Sequence, residues 1–80
     1  MKDLPRSTLD ATALGQRVRV VRLDGDDGMC RRLHDLGFWP GTEVDVVHRA
    51  PWLDPTLYAL RGQRLALRRN EAARIHVESV

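Results

Sequence analysis

Cys30 and His34 stand four residues apart, a spacing that on a helix puts a thiol and an imidazole side by side on one flank. Zinc and ferrous iron both accept such ligands. His48, His76 and scattered acids are available to complete a site, but neither a C-x-x-C nor an H-x-x-x-H spacing is present. The pair therefore reads as a half-buried cysteine beside a surface histidine, a weak or adventitious site for zinc or Fe(II) at most, with no cofactor required. Hydroxyls occur at Ser7, Thr8, Thr12, Thr42, Thr56 and Ser79, none in a nucleophile-elbow context. Gly25 and Gly28 flank acids that repel phosphate, so no phosphate cradle is expected. The acids of Asp24-Gly25-Asp26-Asp27-Gly28 lack the longer spacing and terminal glutamate of a calcium loop, and read instead as a turn. Asp26 or Asp27 would cap the helix that follows. No catalytic constellation emerges, and the chain is expected not to be an enzyme.

Binding chemistry remains. Lys2 is the one lysine among 13 basic residues, and the rest are arginines suited to bidentate contacts with carboxylates and phosphates. Eleven interspersed acids leave a net charge of +2, which favours solvated arginines over a nucleic-acid footprint. The aromatics are Phe38, Trp39, Trp52 and Tyr58. Phe38 and Tyr58 fall in core phase. Trp52 and Leu53 lie near the tip of a proline-bounded loop, where an uncovered tryptophan is costly. Trp52 reads either as a partner or self-association anchor, or as a side chain folded over its own barrel. Trp39, Arg31 and Asp35 lie around the exposed side and exit of the helix and are expected to share a partner-binding surface with Trp52 and Leu53.

The elements that position these residues centre on Met29 to Val47. Met29, Leu33 and Leu36 form one helical face, with Arg31 and Asp35 turned away. Burying each of the three would contribute roughly 1.5–3 kcal/mol. Gly37 stands where the helix needs a left-handed stop residue, and Phe38 can then pack back on Leu33. Pro40-Gly41 turns the chain into a strand from Thr42 to Val47. Upstream, residues 1–6 read as a loose lead-in. Ser7-Thr8-Leu9-Asp10 starts one helical turn ending at Ala13. Arg17 to Leu23 is a strand with Val18 and Val20 on one face, and a phase change at Val21 that predicts a bulge. Downstream, His48 to Pro55 is a loop. Leu57 to Arg68 is a hairpin with Gly62-Gln63 as a type II′ turn, Leu60 facing Leu65 and Tyr58 facing Leu67. One turn capped by Asn70 precedes a last strand, Arg74 to Val80, with Ile75 and Val77 inward.

One domain over residues 1–80 is expected, mainly β: a small, partly open barrel of about five strands with one short α-helix and one or two single helical turns. Nearly every aliphatic side chain is needed for so small a core, which leaves little room for a substrate cavity. No apolar run reaches the roughly 20 residues of a membrane helix, and the start of the chain lacks a signal peptide's apolar segment. The single cysteine fits a reducing cytoplasm.

Arg32-Leu33…Leu36-Gly37-Phe38…Pro40-Gly41-Thr42…Val44, then Ala50-Pro51…Asp54-Pro55, then Arg61-Gly62…Leu65-Ala66-Leu67-Arg68…Glu71-Ala72…Ile75…Val77, together resemble the FeoA family. The match runs from about Leu9 to Val77, and its order and spacing, more than any one piece, carry the likeness. The resemblance implies an SH3-like barrel. It also implies an accessory of FeoB, the ferrous-iron permease with a cytoplasmic GTPase domain, whose GTPase or gating it would modulate. The same module ends some metal-dependent repressors, but this chain has no room for their DNA-binding domain. Its motif residues (Leu33, Leu36, Gly37, Phe38, Pro40, Gly41, Gly62, Leu65 and Leu67) are structural, so the likeness transfers a fold more directly than a mechanism. Where many relatives carry a small or flexible residue before the Asp-Pro, this chain has Trp52-Leu53. A cytoplasmic FeoB partner is expected, with no membrane insertion and no nucleic acid, and a homodimer is left open. The alternatives are a transition-metal chaperone using Cys30 and His34, and a nucleic-acid-binding small barrel.

Overall fold

In the computed structural model, which describes residues 6–52 and 54–80, a six-stranded antiparallel sheet runs in the order β1-β6-β2-β3-β4-β5. The strands are β1 (Arg6–Thr8), β2 (Arg17–Leu23), β3 (Glu43–Arg49), β4 (Thr56–Leu60), β5 (Gln63–Leu67) and β6 (Ile75–Ser79). Two helices interrupt them, α1 (Gly28–Asp35) and the single turn α2 (Arg69–Ala72), with a 3-10 turn at Leu9–Ala11. The mainly β, SH3-like class expected from sequence is the observed one, with a sixth strand added. That strand is β1, where Arg6 and Ser7 pair with Glu78 and Val77 of β6. Three residues with no alternation of their own carry little signal, and β6 supplies the order. Most of the lead-in, residues 1–5, lies outside the described residues.

Alternation dictates the core. Val18 and Val20 of β2, Val44 and Val46 of β3, Tyr58 and Leu60 of β4, and Ile75 and Val77 of β6 all point inward and are buried. The phase change in β2 is a bulge against β6 between Val20 and Arg22, which returns Leu23 to the core side. From α1, Leu33 is fully buried while Met29 and Leu36 pack against the cluster half-buried. Only the middle of the expected apolar face is therefore wholly dry. The helix is eight residues long and its ends stay near solvent.

Asp27 caps α1, accepting from the Cys30 amide at 3.2 Å. At the other end the Phe38 amide donates to the Leu33 carbonyl and the Gly37 amide to that of His34, the paired bonds of a Schellman ending. Gly37 adopts φ +108°, and a Cβ there would lie 3.1 Å from Arg61 Cδ. Gly37→Ala should therefore destabilise the fold by about 1–2 kcal/mol, read as a lower urea midpoint at unchanged slope. Trp39-Pro40-Gly41-Thr42 forms a turn, with the Thr42 amide bonded to the Trp39 carbonyl and Gly41 at φ +92°.

Four local expectations need correction. The first turn is capped at Thr8 rather than Ser7 and runs only from Leu9 to Ala11, because Ser7 is committed to β1. β3 continues two residues past Val47 to Arg49, held by pairing with Leu57 and Thr56 across a bulge and by the Arg49 guanidinium on the Thr12 carbonyl. The β4–β5 turn is Arg61-Gly62, with φ +50° and +78°, rather than Gly62-Gln63. Tyr58 then faces Leu65 and Leu60 faces Gln63, a two-residue slip that leaves every side chain on its expected face. α2 is capped at Arg68, whose amide donates to Glu71 Oε1 at 2.9 Å, so Asn70 is inside the helix rather than at its cap.

Candidate functional site

The helix exit is clamped by the β4–β5 turn. The Trp39 indole N–H donates to the His34 carbonyl at 2.6 Å, and Gln63 donates to the Leu36 carbonyl at 2.9 Å. The first adds a second donor to a carbonyl that the Gly37 amide already reaches, and the second satisfies the Leu36 carbonyl at the helix end. The Arg61 guanidinium stacks 4.2 Å over the Trp39 ring, a cation–π contact that also sets a positive charge at the helix C-terminus. The His34 ring lies 6.0 Å from that of Trp39, tilted by 41°. Trp39 is 38% exposed, so one part of it is fixed and the rest faces solvent. Arg31 and Asp35 are exposed on the outer side of the helix as expected. Trp52 is 83% exposed, which disposes of the alternative that it folds over its own barrel. Leu53, its expected companion, lies outside the described residues.

Trp52 is not carried by the same end of the hairpin as Trp39. Its loop meets the open end of the hairpin, where the Arg69 amide donates to Asp54 Oδ1 at 2.8 Å. Trp39 sits at the turn end, and β5 runs between the two, five residues or roughly 17 Å long. The Arg61 and Gln63 clamp was not anticipated. Only the correct turn assignment would have revealed it, and arginine is an uncommon residue at positive φ.

Cys30 and His34 do share a groove, lined also by Leu23, Asp26, Arg31 and Pro40. Among the described residues no three His, Cys, Asp or Glu side chains converge well enough to hold a metal ion. Two neighbouring acids are engaged elsewhere. Asp24 bonds His76 at 2.6 Å and Arg22, and Asp27 receives both guanidinium nitrogens of Arg74 at 2.9 and 3.1 Å.

Those contacts set the acid response. The hydrogen bonds from His76 and Arg22 hold the Asp24 carboxyl below its usual range, and those from Arg74 and the Cys30 amide do the same for Asp27. Arg17 lowers Asp45. At Glu71, burial opposes ionisation but is outweighed by the bonds from the Arg68 amide and Arg32. A depressed folded-state pKa contributes stability above the unfolded value and loses it as pH falls through the folded one. Urea midpoints should therefore hold steady from neutral pH to about pH 5 and drop below about pH 4, as these carboxylates take up protons. A midpoint unchanged down to pH 2.5 would contradict these pairings.

On the outer face, register builds a row across four strands: Arg17 opposite Asp45, Asp45 opposite Ala59, and Ala59 opposite Arg64. Arg17 grips Asp45 at 2.8 and 3.2 Å and reaches Glu43, so its charge is matched. Ala59 leaves a gap, and a shallow groove of about 540 Å³ runs there between that ion pair and the Arg61–Arg64 side of the hairpin.

The FeoA domain family matches residues 7–79 of this sequence. The chain belongs to the FeoA family. A curated relative, the Fe(2+) transport protein A/Fe(2+) transporter FeoB fusion protein of Porphyromonas gingivalis, is 35% identical over 66 residues. Those residues are 82% of this chain but 8% of the fusion, so the chain spans only a small part of that relative's length. The solution structure of a FeoA-like protein from Clostridium acetobutylicum superposes with a TM-score of 0.89 at 30% identity, over 99% of this chain and 91% of that one. The FeoA of Stenotrophomonas maltophilia, crystallised with zinc and described as a prokaryotic SH3 domain protein, gives 0.79 at 35% identity, over 89% and 88%. In the fold itself Gly37, Phe38, Pro40, Gly41 and Leu67 serve the helix stop, the turn or the core.

Proposed function

We propose that this chain is a non-enzymatic accessory of ferrous-iron uptake that binds the cytoplasmic part of a FeoB-type permease and biases its GTPase or gating states. The observation that carries the reading is the fusion relative, in which a FeoA part and a FeoB transporter share one polypeptide. Tethering raises effective concentration and is useful where the two parts engage each other. The fold suits such a role: its interior is filled by aliphatic side chains with Phe38 and Tyr58, while Trp39, Trp52 and Arg64, which has no acidic partner among the described residues, lie outside.

The test is retention of this chain on an immobilised cytoplasmic region of a FeoB-type permease at low and high salt. Retention at both, with moderate weakening, is expected, and none at either would end the proposal. Loading the permease with GTP or GDP analogues then asks which state is preferred, since a ligand shifts an equilibrium only through differential affinity. Treatment with a chelator should leave retention unchanged, because no cofactor is required. A loss restored by zinc or Fe(II), and abolished by Cys30→Ser with His34→Ala, would transfer the function to the metal-chaperone reading. Binding to oligonucleotides that collapses steeply with salt would favour the nucleic-acid barrel instead.

A further inference from the structure

The strand order ends at β5, and among the described residues nothing pairs with its outer side. Because the turn is the two residues Arg61-Gly62, Leu60 and Gln63 form the first hydrogen-bonded pair, and bonded pairs recur at Tyr58–Leu65 and Thr56–Leu67. The N–H and C=O groups of Arg64 and Ala66 therefore point away from β4, into solvent. Both residues are exposed. An open edge of this kind is a template for another extended chain.

Charge selects which chain. Arg64 has no acidic partner among the described residues, while the arginines across the face at positions 17 and 19 are matched by Glu43, Asp45 and Glu78. Arg61 is held over Trp39, a stacking that leaves its in-plane N–H groups free. Arg68, beyond the end of β5, makes only a 4.0 Å contact with Asp54. The edge thus carries positive charge at its start, middle and end, and Ala66 presents no bulk. A second copy of β5 would meet this charge with its own, so edge-to-edge self-pairing is disfavoured. An incoming strand lying next to Arg64 continues the row Arg17–Asp45–Ala59–Arg64, and its matching cross-strand residue is an acid.

We infer that β5 is a docking edge that accepts an acidic, extended segment of a partner protein as a seventh strand, through the backbone of Arg64 and Ala66 and the side chains of Arg61, Arg64 and Arg68. The inference deepens the accessory reading by naming the surface and the chemistry of the permease segment it takes. Trp39 and the Trp52 loop stand at the two ends of this edge, so a strand laid along it comes within reach of both.

The probes are an acetylated, amidated seven-residue peptide alternating glutamate and valine, its lysine counterpart, and the cytoplasmic region of a FeoB-type permease. With nitrogen-15-labelled protein, the glutamate peptide should shift the Arg64 and Ala66 amides and slow their exchange, weakly and with strong salt dependence, while the lysine peptide does nothing. Ala66→Pro removes an outward donor without touching the pairing to β4, and should weaken binding of peptide and permease region roughly tenfold. Arg64→Glu should do the same, and stands in if the proline variant fails to fold. Unchanged binding by the folded variants, shifts confined to other surfaces, equal binding of the lysine peptide, or dimerisation through β5 would each overturn the inference. Permease binding that survives both substitutions sinks the docking edge and leaves the accessory reading intact. Glutamate-peptide binding at β5 without permease binding does the reverse, and failure of both probes ends both.

Discussion

Phe38→Ala should unfold much of the population at temperatures where the parent chain is intact. The ring is fully buried, and truncating a buried phenylalanine costs about 3–5 kcal/mol. An 80-residue domain holds on the order of 4–12 kcal/mol in all. The effect is concentrated because Phe38 joins two tasks. Its amide closes the Schellman bond to the Leu33 carbonyl at 3.2 Å, and its side chain belongs to the same core cluster as Leu33. Losing the ring opens a cavity under the helix end that also carries Trp39 and the Gln63 and Arg61 contacts. Thermal melting followed by circular dichroism reads the outcome, with a drop of well over 10 °C expected for a domain of this size. A shift of only a few degrees would mean that the helix end closes without the ring.

Trp52→Ala should have the opposite profile: no measurable change in stability and a large loss of partner binding. With 83% of the residue exposed, the fold owes it almost nothing, and exposed substitutions typically stay within about 0.5 kcal/mol. Tryptophan is nonetheless the side chain most often found at binding hot spots, where truncation costs about 2 kcal/mol or more, a factor of about 30 in affinity. Calorimetric titration against the permease's cytoplasmic region, alongside a urea melt of the free variant, separates the two effects. Unchanged affinity would remove Trp52 from the interface, and a fallen urea midpoint would show that it serves its own domain.

Much of the architecture was legible because it rests on local rules. Val18, Val20, Val44, Val46, Ile75 and Val77 face inward by strand alternation. Gly37, Pro40 and Gly41 stop and turn the chain by backbone sterics, and Asp27 caps by its own carboxylate. The β2 bulge was visible as a broken phase. The hairpin was legible in its faces but not in its register, since a two-residue slip leaves the inward set unchanged. What chose between the registers is the distant helix end: with Arg61 at the first turn position, its guanidinium reaches Trp39 and Gln63 reaches the Leu36 carbonyl.

The chain's order of apolar and turn residues was thus enough to determine a small β barrel, its helix stop and the aliphatic side chains consumed inside it, because each depends on neighbours a few positions away. The tertiary structure alone decided that, among the described residues, β5 is an edge and Arg64 lacks an acid while Arg17 has two, and that Trp39 and Trp52 mark opposite ends of one hairpin. Those facts depend on which strands become neighbours, and that follows from closing the whole sheet around its core.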